Sequence, residues 1–162
     1  MSAPTDVSKY RFNHTMYRVK DAEASIKFYT EVLGMTLLGK MDNPDAKFTL
    51  YFLGYQQGPN YKPDDSLSLK SPVFGREGIL ELTHNWGTEN DANFKGYHNG
   101  NDEPQGYGHI AIAVDNLDAA CKRMTDMGVR FKKRPEDGRM RNIAFIYDPD
   151  NYWIELVVHP GV

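Results

Sequence analysis

The sequence predicts an α+β chain in which one β-α-β-β-β module occurs twice. Three observations carry that expectation: two segments that repeat each other's pattern, a glycine closing each, and three short strand-like runs after each glycine. In the first repeat His14 opens the run HTMYRV and Asp21 follows; Ile26, Tyr29 and Leu33 then keep helical spacing up to Gly34. In the second, His109 opens HIAIAV, Asp115 follows, and Leu117, Cys121 and Met124 keep the same spacing up to Gly128. Glycine just past the last periodic residue is a helix stop, because it alone enters the left-handed region without a Cβ clash. After Gly34 come MTLLGKMD, FTLYFLGY and ILELTHN; after Gly128 come VRFKKR, NIAFIYDP and YWIELVV. Each is rich in β-branched, aromatic or Leu residues and bounded by Gly, Pro, Asp or Asn, the pattern of a short strand.

At 162 residues the chain fits a single domain, 1–162, holding internal repeats at 12–85 and 107–158. The first repeat is the longer. From His14 to Glu81 is 67 residues and from His109 to Glu155 is 46, and the surplus of 21 falls mainly in 54–78, where Gly, Pro, Asp and Ser cluster as in a loop insertion. A second loop, Gly87 to Gly108, links the halves and is dense in Asn, Asp and Gly.

Composition excludes several classes of function. Hydrophobic residues at 40% and charged residues at 25% are those of an ordinary globular protein. Nineteen basic against 22 acidic side chains leave a net charge of −3, which argues against a nucleic-acid binder that lives on phosphate neutralisation. No apolar run reaches the roughly 18 residues of a membrane helix. The opening MSAPTDVSKYRFNH has no apolar core of a secretory signal, so none is expected. A lone cysteine, Cys121, forms no internal disulfide and reads as a buried structural thiol, pointing to a reducing compartment, the cytoplasm.

The duplication puts one His at the start of each module's first strand and one Glu in each last strand: His14, Glu81, His109 and Glu155. Strand side chains alternate, so Glu81 shares a face with Ile79 and Thr83, and Glu155 with Trp153 and Val157. A carboxylate among such neighbours is costly to bury unless it is paired or holds a metal. Taken singly, a strand Glu is more often solvent-facing and a strand-opening His more often plain surface or core. It is the recurrence of both types at matching places that suggests a site for a divalent first-row metal, Zn²⁺, Ni²⁺ or Co²⁺.

Nine runs carry a family resemblance: HTMYRVKD (14–21), FYTEVLGM (28–35), FTLYFLGY (48–55), LELTHNWGTE (80–89), YHNGN (97–101), GYGHIAIAV (106–114), ACKR (120–123), RPEDGRMR (134–141) and DPDNYWIELV (148–157). Together, over 12–157, they closely resemble the glyoxalase I (lactoylglutathione lyase) family of the vicinal-oxygen-chelate superfamily. The resemblance implies two paired βαβββ modules forming curved mixed sheets. It implies a homodimer with metal sites at the chain interface, where His14 and Glu81 of one chain meet His109 and Glu155 of the other. The reaction it implies is isomerisation of the methylglyoxal–glutathione hemithioacetal to S-D-lactoylglutathione, a methylglyoxal detoxification. Glutathione is then the co-substrate, and Glu155 the shuttling base, with Glu81 acting for the other substrate enantiomer.

The same resemblance assigns Arg18 and Asn85 to the γ-glutamyl end, Lys133 to the glycine carboxylate and Met140 to a loop covering the site. Phe48, Leu50 and Phe52 line an apolar pocket for the small end of the substrate. Arg18 is four residues beyond His14 and so on the same pleat face in a regular strand. Two departures stand out. Gln105 replaces an Arg that partners Lys133 in animal members, leaving Arg134 or Lys132 to compensate, since an amide makes no bidentate ion pair. His14 replaces a Gln of animal members, as in plant, fungal and bacterial ones. Long loops such as 54–78 and 87–106 resemble those of zinc-dependent members, so Zn²⁺ is expected first and Ni²⁺ or Co²⁺ as the alternative. The basic stretch Lys132-Lys133-Arg134, with Arg139 and Arg141, suits a small anion in an acidic chain.

Two other functions fit the same fold. A ring-cleaving dioxygenase uses two His and one Glu on Fe²⁺, against four candidate ligands here. A non-enzymatic binding module of this superfamily lacks the quartet.

Overall fold

A computed structural model of the chain describes residues 5–55, 58 and 60–159; positions 56, 57 and 59 of the 54–78 loop lie outside the described residues. The chain divides into two compact units, one holding the residues up to Ala22 with Tyr29–Asp91, the other Glu23–Phe28 with the residues from Ala92 on. Each is built on a four-stranded mixed sheet, as the α+β reading expects. In the first, β1 (His14–Val19), β2 (Thr36–Asn43), β3 (Phe48–Gly54) and β4 (Ile79–Asn85) lie in the order β1-β4-β3-β2. In the second, β5 (His109–Val114), β6 (Phe131–Lys133), β7 (Ile143–Tyr147) and β8 (Trp153–Val158) repeat it as β5-β8-β7-β6. The first and last strands of each module run parallel and the other neighbours antiparallel.

The helices follow each module's first strand. α2 (Leu117–Asp126) is capped by the Asn116 side chain, which accepts from the Ala119 N–H at 2.9 Å, and it buries Leu117, Cys121 and Met124. Gly128 closes it at φ +72°. α1 (Ala22–Lys27) departs from the regular helix that the Ile26, Tyr29, Leu33 spacing predicts: it widens into a π-helical turn over Phe28–Val32. Tyr29 is fully buried, and Gly34 stops the turn at φ +74°. The stretch Glu23–Phe28 groups with the second unit, where buried Ser25 donates to Asp150 Oδ2 at 3.5 Å.

Strand alternation decides which face of the first sheet is core. Tyr17, Val19, Leu53, Leu80 and Leu82 are buried on one side, while His14, Met16 and Arg18 stand exposed on the other. The inserted loop is packed along the outer edge of β2. The Asp64 carbonyl accepts from Lys40 N at 2.9 Å, Asp64 N donates to Leu38 O at 3.0 Å, and Leu67 N donates to Lys40 O at 2.9 Å. Such pairing satisfies backbone groups that an edge strand otherwise leaves open. Gly39 permits it, because a Cβ there would lie 2.4 Å from the Asp64 carbonyl oxygen. Leu67 and Val73 of the loop then join Leu38, Phe52 and Ile79 in an apolar cluster, with Met41, Leu50 and Phe74 packed against it. Among the described residues no helix is long and apolar enough to cross a membrane.

Candidate active site

Register assembles the first half of the site. Met16 lies opposite Glu81 and Arg18 opposite Thr83 across β1 and β4, while β3 sets Phe52 opposite Glu81, Leu50 opposite Thr83 and Phe48 opposite Asn85. Opposed residues share a face, so His14, Arg18, Glu81, Asn85, Phe48, Leu50 and Phe52 all stand on one side of the first sheet. There the Nε2 of His14 lies 3.1 Å from Glu81 Oε2. The second unit repeats the arrangement. His109 is opposite Trp153, Ala111 and Phe145 are opposite Glu155, and His109 Nε2 lies 3.2 Å from Glu155 Oε2. Lys133, opposite Phe145, is on that same face.

The two carboxylates differ in surroundings. The Glu81 side chain keeps 11% of its surface and that of Glu155 20%. Burial pushes the Glu81 carboxyl above its ordinary value of 4.5, and the neighbouring His14 only partly offsets this. His14 is its sole hydrogen-bonding or ionic partner among the described residues. Beside it, the buried Thr83 hydroxyl has no hydrogen-bond partner among the described residues. Such polar groups, buried and short of partners on the site face, are what a bound cation and its ligands would satisfy.

The donor set fits a divalent first-row metal. Each half offers one imidazole nitrogen and one carboxylate oxygen about 3 Å apart, the spacing of neighbouring donors whose bonds to one cation are about 2.1 Å. Among the described residues no three His, Cys, Asp or Glu side chains converge within the chain. Each unit presents one such imidazole–carboxylate pair on its site face.

Two further assignments acquire a structure. Lys133 Nζ donates to the carbonyls of Arg134 at 3.0 Å, Met140 at 2.6 Å and Ile143 at 3.3 Å, so it ties down the 134–143 loop on which exposed Met140 stands. Phe52 is buried edge-on to Phe74, with ring centroids 5.4 Å apart, and so belongs to the apolar cluster as well as to the site face.

Sequence reasoning missed Thr83, and it left Lys132 beside Arg134 as a bare possibility. Regular alternation points only one of Lys132 and Lys133 toward Glu155. Between Phe131 and Lys133, however, β6 advances two residues while β7 advances one, a bulge that makes Lys132 the extra residue. The Lys132 ammonium lies 4.9 Å from the ring centroid of Trp153, the residue opposite His109. Arg134 is turned elsewhere, stacked over Phe131 and donating to Thr125 Oγ1. No signal in the sequence marks that bulge.

Comparison with known proteins identifies the family. Residues 11–156 match the model of the Glyoxalase/Bleomycin resistance protein/Dioxygenase superfamily. The chain belongs to that superfamily. The matched span takes in both His/Glu pairs of this glyoxalase-superfamily chain. It is 53% identical over 153 residues to the lactoylglutathione lyase of Schizosaccharomyces pombe, covering 94% of this chain and 46% of that protein. It is 50% identical over 149 residues to the lactoylglutathione lyase of Pseudomonas aeruginosa, covering 92% and 82%. The chain thus spans about half the length of the Schizosaccharomyces relative and most of the Pseudomonas one. Among solved structures, the Leishmania major glyoxalase I superposes with a TM-score of 0.66 at 39% identity, over 92% of this chain and 86% of that one.

Proposed function

We propose that the protein is a glyoxalase I, converting the hemithioacetal of methylglyoxal and glutathione into S-D-lactoylglutathione. The observation that carries this reading is the repeated register: a His and a Glu two residues out of register on parallel strands, in both modules, in a chain half identical to lactoylglutathione lyases. The ring-cleaving and binding-only readings have no comparable support.

Each chain holds one His14/Glu81 and one His109/Glu155 half-site, and a homodimer supplies both halves of each centre. Zn²⁺ is the proposed cation, before Ni²⁺ or Co²⁺. A bound divalent cation supplies fixed positive charge against the negative charge that builds on the substrate's two oxygens. His14, Glu81, His109 and Glu155 would hold it, Glu155 weakly enough to let go. Glu155 takes the proton from the carbon bearing the hydroxyl and returns it to the neighbouring carbon, so the step is an isomerisation with no net gain or loss. Its greater exposure than Glu81 supports that role, since the base must reach the substrate. Glu81 does the same for the opposite enantiomer. Arg18 and Asn85 receive the γ-glutamyl end, Lys133 the glycine carboxylate, and Phe48, Leu50 and Phe52 the methyl end, while Met140 stands on the covering loop. The cytoplasm, which keeps the buried Cys121 thiol reduced, is the proposed location.

The test is thioester formation from methylglyoxal and glutathione, using chelator-stripped protein refilled separately with Zn²⁺ and Ni²⁺. Restoration by zinc supports the reaction and the metal together. Restoration by nickel alone keeps the reaction and overturns the metal, and no turnover with either removes the reaction.

A further inference from the structure

The two imidazoles of the proposed centre are held differently, and the difference lies in the residue before each. His14 Nδ1 is 2.7 Å from Asn13 Oδ1. The Asn13 amide is itself fixed, its Nδ2 donating to the carbonyls of Val73 at 3.0 Å and Arg76 at 2.8 Å. Only the NH₂ side of an amide can serve two carbonyls, so these bonds orient Asn13 and leave its oxygen as the atom facing the ring. An oxygen acceptor there requires the proton on Nδ1. The lone pair then lies on Nε2, the atom aimed at Glu81. Two lone-pair atoms 3.1 Å apart repel one another unless a cation or a proton lies between them.

His109 has no such tether. Its preceding residue is Gly108, without a side chain, and among the described residues no hydrogen bond reaches its Nδ1. The ring is contacted edge-on by Phe145, 5.0 Å away between centroids, which leaves the tautomer open.

We propose that Asn13 is a positioning residue for the metal centre: it holds His14 as the Nδ1–H tautomer and so presets the first half-site for a divalent cation before any is bound. The 72–76 turn, which supplies the Val73 and Arg76 carbonyls, is the anchor of this device and belongs to the loop insertion of the first module. The inference rests on the metal-dependent reading above. Outer partners of this kind typically change metal affinity by roughly 10–100-fold when removed.

The experiment combines nitrogen-15 NMR of the imidazoles in metal-free protein with zinc titration by calorimetry, on wild type, Asn13→Leu and Asn13→Asp. The His14 signals are assigned by their loss in His14→Gln. Wild type is expected to show His14 protonated on Nδ1. Asn13→Leu is expected to shift the proton to Nε2, where it bonds Glu81, and to weaken zinc by roughly 10–100-fold. Asn13→Asp also loses both anchoring donors but keeps the acceptor, so it is expected to retain the Nδ1–H form and most of the zinc affinity. His14 carrying its proton on Nε2 in wild type, or an Asn13→Leu protein with unchanged tautomer and unchanged zinc affinity, overturns the proposal. So does an Asn13→Asp protein that loses as much zinc affinity as Asn13→Leu, because a merely structural role predicts equal loss. Wild-type protein that binds no divalent cation would remove the metal-dependent reading, while the tautomer measurement would still decide whether Asn13 orients His14.

Discussion

His14 and Glu81 are not opposite one another: His14 pairs with Ile79 and Glu81 with Met16, so the two side chains meet on a diagonal with Nε2 and Oε2 3.1 Å apart. The same diagonal recurs between His109 and Glu155, at 3.2 Å and in the same register. Same-face side chains recur every two residues along a strand, so Glu81 is the next residue on the site face after Ile79, the one opposite His14. Each module thus makes one such imidazole–carboxylate pair between its first and last strands.

Half-sites of this kind make a complementation experiment decisive. His14→Ala and His109→Ala homodimers carry one lesion in every site and are expected to be nearly inactive. When the two are unfolded together and refolded, a mixed dimer carries both lesions in one site and none in the other. Random pairing makes about half the dimers mixed, so recovery approaches about a quarter of wild-type activity if a two-fold dimer shares its sites. No recovery in a mixture shown to contain mixed dimers would place both halves of each site in one chain.

Glu155→Gln keeps the volume and the contact with His109 but cannot accept the substrate proton. Turnover is expected to fall by about a hundredfold or more, the usual weight of a positioned base, with the fold and dimer retained. Steady-state kinetics on zinc-loaded protein checks this. Near-normal kcat would transfer the base to Glu81.

Burial raises the Glu81 carboxyl above 4.5, so in metal-free protein the folded state binds that proton more tightly than the unfolded chain does. Its contribution to stability is complete below the ordinary carboxylate range and is lost as pH rises through the folded-state value. Metal-free Glu81→Gln, which carries no such charge, is therefore expected to lose less stability than wild type as pH rises above the ordinary carboxylate range. Thermal melts of the two proteins at rising pH make the comparison, and parallel curves would remove the desolvation argument. Bound zinc should abolish the difference in wild type by compensating the charge.

Lys133 ties down a loop in this structure and has a second task in the proposed reaction, and Lys133→Ala separates the two. Loss of a charged partner for the glycine carboxylate is expected to raise KM for the glutathione adduct roughly tenfold, with a smaller change in kcat. Loss of its bonds to the carbonyls of Met140 and Ile143 is expected to free the covering loop, so trypsin should cut faster after the exposed Arg139 and Arg141. Faster cleavage with an unchanged KM would leave Lys133 as a loop tether only.

Much of this is legible in the sequence. The repeat, its strand and helix order, the four candidate ligands and the common face of Phe48, Leu50 and Phe52 follow from local signals: helical spacing, strand alternation and glycine stops. The π-helical turn at Phe28–Val32 was not, because it preserves the apolar residues that a regular helix would use. The bulge at Lys132 was not either, since an extra residue leaves no mark on composition.

By itself, then, the sequence determined the duplicated module and which residues are candidates for the chemistry, since pattern and residue type are local properties. Tertiary structure alone decided how those residues meet: the two-residue offset that joins each His to its Glu, the loop that seals Phe52 beneath Phe74, and the Asn13 amide braced on Val73 and Arg76. These contacts span 60 or more residues between Asn13 and its anchors. They depend on strand register and on which backbone groups remain unpaired, and neither quantity exists until the sheet has formed.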